Sequence, residues 1–439
     1  MSREKLLQVL QLCLLCVYKI VFEIYFIPTY IHIFAYMNNW RYEFNFNKWF
    51  ISNLIFGIFL IFQVYSFSYQ KKIYEIIVLF ANCICIIPLL STYAFNNSVD
   101  ISYIIYPAIF WFVLMGCFHR YAIKKDDCPK KYLYIPFKAD LTKVLLYAGL
   151  IISFVIWLWA GHPIILSMDD TTAQRMNLRA AAMPSVLNYP FMIFGGTILP
   201  YMFAQCIDKR EYLYAVIFLL SGILLFFTNG MKTWLFMYLF IIGIYTVNKL
   251  SKESIRGLSL FIVVTFVLLT IFCCLTYEYL GRVDYTSQFA RVTLLPNNIG
   301  FKSVAFFSSL DHEYLYLRES ILRSFFETPY VGGSDFYINY GSASTLISSR
   351  ANNGLWGDAY RNFGILGMVV YPLMTAKIFR LLEVNSTHLS LKLRMVTMFI
   401  ALWHIVNVTF FAWLVTGGII ILWLILKINK QNETQEYIY

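Results

Sequence analysis

The chain has 439 residues, of which 59% are hydrophobic, 19% aromatic and only 13% charged, and it carries a formal net charge of +11. That composition cannot clothe a water-soluble surface, so a soluble globular protein is excluded. Apolar stretches long enough to cross a hydrocarbon core of about 30 Å as helices recur along almost the whole length, and none alternates like a barrel strand. The fold expected is an all-α polytopic integral membrane protein.

The first apolar run follows a short basic N-terminus and continues without a small-residue cleavage site, so it reads as a retained helix rather than a signal peptide. Transmembrane helices are predicted at 6–27, 49–67, 73–95, 101–118, 141–160, 185–206, 212–228, 233–248 and 258–277. After a long polar interruption from 278 to 358, three more are predicted at 359–376, 395–410 and 412–427, about twelve in all. Residues 428–439 form a short tail. Cysteines such as Cys83, Cys85, Cys273 and Cys274 lie inside apolar runs and act as small hydrophobes. Cys13 and Cys16, spaced C-x-x-C in the first helix, read as buried thiols.

Basic residues test the orientation. With both termini cytoplasmic, the inner segments hold 22 of the 35 basic residues and the outer segments 12, with Lys19 inside a span. The charge is then accounted for by topology and anionic lipid, and nucleic acid is not implied as a partner. The inner set is 16 Lys and 6 Arg, whereas the outer set is 9 Arg and 3 Lys. A planar guanidinium fork suits bidentate contact with phosphate or carboxylate, so the outer face reads as a surface built to hold an anion.

Two outer segments carry most of these arginines. The loop at 161–184 contains Arg175 and Arg179, spaced i, i+4. The 278–358 loop contains Arg291, Arg318, Arg323 and Arg350. It is aromatic and free of low-complexity sequence, so it is expected to fold over the helices, with a short amphipathic helix at Asp311 to Phe326. Lys232, in the outer turn that follows Asn229, is a further cation for the same anion. His312 is the loop's one histidine and has the pKa range for proton transfer, with Glu319 and Asp358 as competing bases. Asp311, His312 and Glu313 are adjacent and do not converge on one ion, so no metal is expected. Lys19 and Glu23, i, i+4 in the first helix, are expected to pair because an unpaired charge at bilayer depth is costly.

The segment Asn352-Asn353-Gly354-Leu355-Trp356-Gly357-Asp358-Ala359-Tyr360-Arg361-Asn362-Phe363-Gly364-Ile365-Leu366-Gly367 closes the long loop and enters the next helix. It resembles the corresponding segment of the Wzy-type O-antigen and capsule repeat-unit polymerases, and Arg179 to Gly195 matches the R-x15-G spacing of outer loops in some members. The resemblance covers the layout and about twenty residues closely. A second R-x15-G is absent, since Arg350 to Gly364 is too short.

The resemblance implies a membrane glycosyltransferase of the bacterial inner membrane, with its active site facing the periplasm and no cofactor or metal. Its substrates would be undecaprenyl-diphosphate-linked glycans, and its partners membrane lipids, a chain-length regulator and a flippase. An O-antigen ligase, which shares the layout and a loop histidine, and a lipid-linked oligosaccharide flippase are the alternatives.

Overall fold

A computed structural model describes residues 3–38, 43–124, 140–165, 167, 170–171, 173–174, 177–178, 181, 183–250, 254–309, 314–318, 322, 325–326 and 354–436. The described chain is helical throughout its ordered elements, and eleven of its helices are long and apolar enough to cross a membrane. It divides into two compact units: residues 1–124, 253–378 and 402–410 form the first, and the remainder forms the second.

In the first unit, α1 (Arg3–Val21) runs through one wide turn, Phe22–Phe26, into α2 (Ile27–Asn38). Next come α3 (Phe46–Ser66), α4 (Lys72–Ala81), a second wide turn at Asn82–Ile86, α5 (Ile87–Phe95) and α6 (Ile105–Ile123). The surface of α3 identifies its solvent. Phe50, Leu54, Ile58, Ile61 and Tyr65 are exposed along one stripe, while Lys48, Ser52, Gln63 and Ser66 are buried on the other face. A helix with apolar groups outward and polar groups inward faces lipid, not water. The span formed by α4 and α5 is buried over its whole apolar window, so it is the axis of this unit.

Each wide turn has the same cause. Proline has no N–H and its ring collides with the carbonyl four residues back. Pro28, Pro88 and, in the second unit, Pro200 each stand two residues after such a turn. The N–H groups of Ile27, Ile87 and Leu199 reach back five residues, to the carbonyls of Phe22, Asn82 and Phe194. That π-type bond opens the turn around the proline ring.

The second unit begins with α7 (Leu141–Trp159), capped by the Asp140 carboxylate, which accepts from the Thr142 and Lys143 amides. It continues with α8 (Ser185–Ile193), the wide turn Phe194–Ile198, α9 (Leu199–Asp208), α10 (Tyr212–Asn229) and α11 (Lys232–Leu250). Gly195 and Gly222 are close-approach positions, because a Cβ there would collide with Trp234 and Tyr238 respectively.

Helix α12 (Ile255–Leu280) returns to the first unit, followed by α13 (Asp284–Thr293) and α14 (Leu295–Ser309). The chain ends with α15 (Gly354–Asn385), α16 (Leu391–Asn407), α17 (Phe410–Leu414) and α18 (Ile419–Glu436).

The first nine predicted spans coincide with observed helices to within a few residues, apart from the longer first one. Three expectations change. The span expected at 395–410 is α16, which starts four residues earlier and whose 17 residues reach about 26 Å at 1.5 Å per residue; among the described residues eleven other helices meet the length and apolarity for a span. The polar loop contains short helices as expected, but the described ones, α13 and α14, lie at its start, and α14 is buried along most of its length. Cys13 is exposed on the outside of α1 rather than buried, and it is a free thiol like Cys16.

Candidate functional site

Helix α15 is two helices joined at a break. Gly364 has φ 55° and ψ −135°, a backbone conformation closed to residues with a Cβ, and a Cβ there would also strike the Tyr314 ring. A Cβ at Gly367 would run into the carbonyl of Ala359, so the two arms cross with backbone against backbone. Their environments differ sharply. Residues 354–362 are buried without exception, whereas Ile365, Leu366, Val369, Val370, Leu373 and Met374 are exposed. The spanning helix therefore starts at Ile365, not at residue 359, and the arm before it is an inserted, fully packed segment.

A buried polar network holds that arm. The Asp358 carboxylate accepts from Arg361 Nε at 2.8 Å and Nη2 at 2.7 Å through Oδ1, and from the Phe410 amide at 2.8 Å through Oδ2. Asn362 Nδ2 donates to the carbonyl and the Oδ1 of Asp358, at 2.9 and 3.0 Å. Asp358, Arg361 and Asn362 are 2%, 4% and 3% exposed. Spacings of three and four residues put all three on one helix face, which is why the network forms within a single turn.

The break at Gly364 leaves helix carbonyls without their usual partners, and the chain after α14 supplies them. The Leu315 N–H donates to the Arg361 carbonyl at 2.9 Å, the Tyr316 N–H to the Asn362 carbonyl at 3.2 Å, and the Leu317 N–H to Asn362 Oδ1 at 2.9 Å. Three successive amides spent in this way cannot also serve a helix. The amphipathic helix expected at Asp311 to Phe326 is accordingly absent from the described residues of that stretch, where Tyr316 and Leu317 take φ values of 47° and 66°.

Around this clamp stands a group of aromatic rings. Tyr360, fully buried, bonds through its hydroxyl with Ser308 Oγ at 3.0 Å. Tyr106 meets its ring edge-on with centroids 4.7 Å apart, and Tyr314 does so at 5.8 Å. Tyr314 in turn contacts Phe307 and Tyr316, and Tyr316 contacts Phe363. Trp356 on the same arm donates to Asn297 Oδ1 at 3.1 Å and lies against Gly300, where a side chain would not fit.

Of the residues singled out from the sequence, Arg318 is half-buried in the turn that follows Leu317 and so lies beside the clamp. Asp358 is the centre of the clamp. Both its oxygens are engaged, which is the environment of a positioning residue rather than of a base with a lone pair turned to substrate. Arg291 is exposed on α13. His312, Glu319, Arg323, Arg350, Arg175 and Arg179 lie outside the described residues. In the second unit, Gln174 of the 161–184 loop donates to the Thr228 carbonyl at 3.0 Å and Thr171 packs on Gly230, so that loop reaches the turn leading to Lys232. Sequence reasoning missed the roles of Arg361, Asn362 and Tyr106; for the first two the signal was their spacing from Asp358. Among the described residues no three His, Cys, Asp or Glu side chains gather as metal ligands.

No family model matches the chain, and no curated protein or solved structure matches it significantly.

Proposed function

We propose that this multi-pass membrane protein is a glycosyltransferase that polymerises undecaprenyl-diphosphate-linked repeat units into O-antigen or capsule polysaccharide. The observation that carries the reading is the segment Asn352 to Gly367. Its resemblance to the repeat-unit polymerases falls on the arm whose glycines permit the break and the arm crossing, with Arg318 docked beside it. The arginine excess in the same polar segments supports an anionic substrate, as a lipid diphosphate is.

In the reaction, a hydroxyl of the incoming lipid-linked unit attacks the anomeric carbon of the growing glycan. The new glycosidic bond forms as the bond from that carbon to the diphosphate oxygen breaks, both electrons leave with the diphosphate, and the hydroxyl proton passes to a base. Arg318, with Arg291 and the other arginines of the 278–358 loop, is suited to stabilise the charge that grows on the leaving group. His312 and Glu319 are the candidate bases, and Asp358 holds Arg361 and the arm in place.

Deleting the gene in its host and examining surface polysaccharide on a gel tests this reading. A polymerase defect leaves single repeat units on the lipid core. Polymer retained on the carrier lipid would point to a ligase, loss of both to a flippase, and an unchanged ladder would remove the reading. Arg291→Ala, Arg318→Ala, Arg323→Ala and His312→Ala, at normal protein levels, should shorten or abolish the ladder; full-length ladders from all four would discard this residue set.

A further inference from the structure

Tyr316 and Leu317 are consecutive non-glycine residues in the left-handed region, with φ values of 47° and 66°. Such residues are strained and persist only where the surroundings impose them. Here the imposing contacts are the amides of Leu315, Tyr316 and Leu317, all turned inward onto residues 361 and 362. While its backbone is held inward, Tyr316 remains 48% exposed.

Its ring is not a loose surface group. It meets Tyr314 edge-on with centroids 6.2 Å apart at 85°, and Phe363 at 6.1 Å. Tyr314 passes the contact to the buried Tyr360, which also supports Tyr106. Tyr314 is itself half-buried, so three tyrosines of decreasing burial, Tyr360, Tyr314 and Tyr316, lead from the packed arm to the surface. Edge-to-face contacts fix ring orientation, so this group is ordered before any ligand arrives. Burial raises the Tyr314 hydroxyl above its ordinary pKa, and that hydroxyl is turned inward onto Tyr360 and Gly364. Arg318 stands two residues beyond Tyr316.

We propose that Tyr316, backed by Tyr314 and Phe363, is a saccharide-binding platform on which a pyranose ring of the glycan stacks through its apolar C–H face. The Tyr316 hydroxyl then pairs with a hydroxyl on the sugar rim, and Arg318 takes up the charge of the adjoining phosphate. A pyranose has one apolar face and a polar edge, as a tyrosine does, and orienting it requires a ring whose angle is already set. The inference rests on the glycosyltransferase reading and gives that site its sugar subsite.

The test uses the full-length protein in two arms. In the deletion strain, complementation with Tyr316→Ala and Tyr316→Leu should shorten the polysaccharide ladder, while Tyr316→Trp, which keeps a flat face, should retain it. Normal function of Tyr316→Leu would show that apolar bulk suffices there and overturn the platform. In the second arm, saturation-transfer NMR on protein in lipid nanodiscs, with the host's repeat-unit oligosaccharide released from its carrier by mild acid, should show binding weakened about three- to tenfold by Tyr316→Ala. Equal binding by wild type and Tyr316→Ala, at equal thermal midpoints, overturns the platform. If wild-type complementation restores no ladder yet the oligosaccharide binds and Tyr316→Ala weakens it, the polymerase reading fails and the platform stands.

Discussion

Arg361 grips Asp358 through two of its nitrogens, and the other oxygen of the same carboxylate receives the Phe410 amide from a helix boundary 52 residues away. One side chain thus joins the inserted arm to the start of α17. Asp358→Ala leaves a buried guanidinium without its carboxylate and an amide without its acceptor. Breaking one side of a buried pair costs about 3 to 5 kcal/mol. The expected result is a clearly lower midpoint in a thermal size-exclusion series in detergent, with Asp358→Leu combined with Arg361→Met recovering much of the loss.

Gly364→Ala should be among the most damaging single methyl additions in the chain. The new Cβ meets the Tyr314 ring and the backbone is held at φ 55° and ψ −135°. Combining it with Tyr314→Ala relieves the collision but not the backbone strain, so recovery should be partial. A full recovery, read as yield of monodisperse protein, would place the whole effect in the ring contact.

Inside the first unit, Lys19 pairs with Glu23, which also accepts from Ser91 at 3.1 Å, and both charges are nearly inaccessible. Lys19→Met alone should destabilise strongly by leaving a buried carboxylate unpaired, whereas Lys19→Met with Glu23→Leu should fold well, since a buried pair is often replaceable by apolar groups. If that double variant is stable but inactive in the ladder assay, the pair has a role in substrate passage beyond neutralising itself.

His388, in the turn between α15 and α16, is pushed down to about 4 by burial and by the charges of Lys430 and Lys209. The unfolded chain, with an imidazole near 6.5, binds more protons than the folded one between these values. Stability therefore rises with pH through that window and falls as pH drops from about 6.5 to 4. His388→Gln should flatten this part of a plot of thermal midpoint against pH, without altering it above pH 7.

Most of the spans were legible because hydropathy alone sets their lengths, and the charge pattern placed the polar segments between them. What escaped was set by tertiary demand. The stretch from Asp311 has helical periodicity, but its amides are claimed by carbonyls that Gly364 exposes, and nothing local in that stretch announces the claim. Residues 359–376 look like a continuous apolar helix because glycine at 364 is as compatible with a helix as with a break. Asp358 looked like a free acid because its second partner, the Phe410 amide, lies far along the sequence. Pro28, Pro88 and Pro200 are the local signals of the three wide turns, and they were not used in reading the sequence.

Two buried ion pairs among the described residues of the first unit, Lys19 with Glu23 and Asp358 with Arg361, each close within a single helical turn. A nascent segment can therefore form either pair as soon as it coils, before any neighbouring helix is present. Each enters the bilayer as an electrically neutral piece. The Arg394 to Glu383 pair of the second unit spans eleven residues across a turn and cannot close until two helices have met. Membrane insertion and helix assembly are thus separable events for this chain, with charge settled first where the partners share a turn and last where they do not.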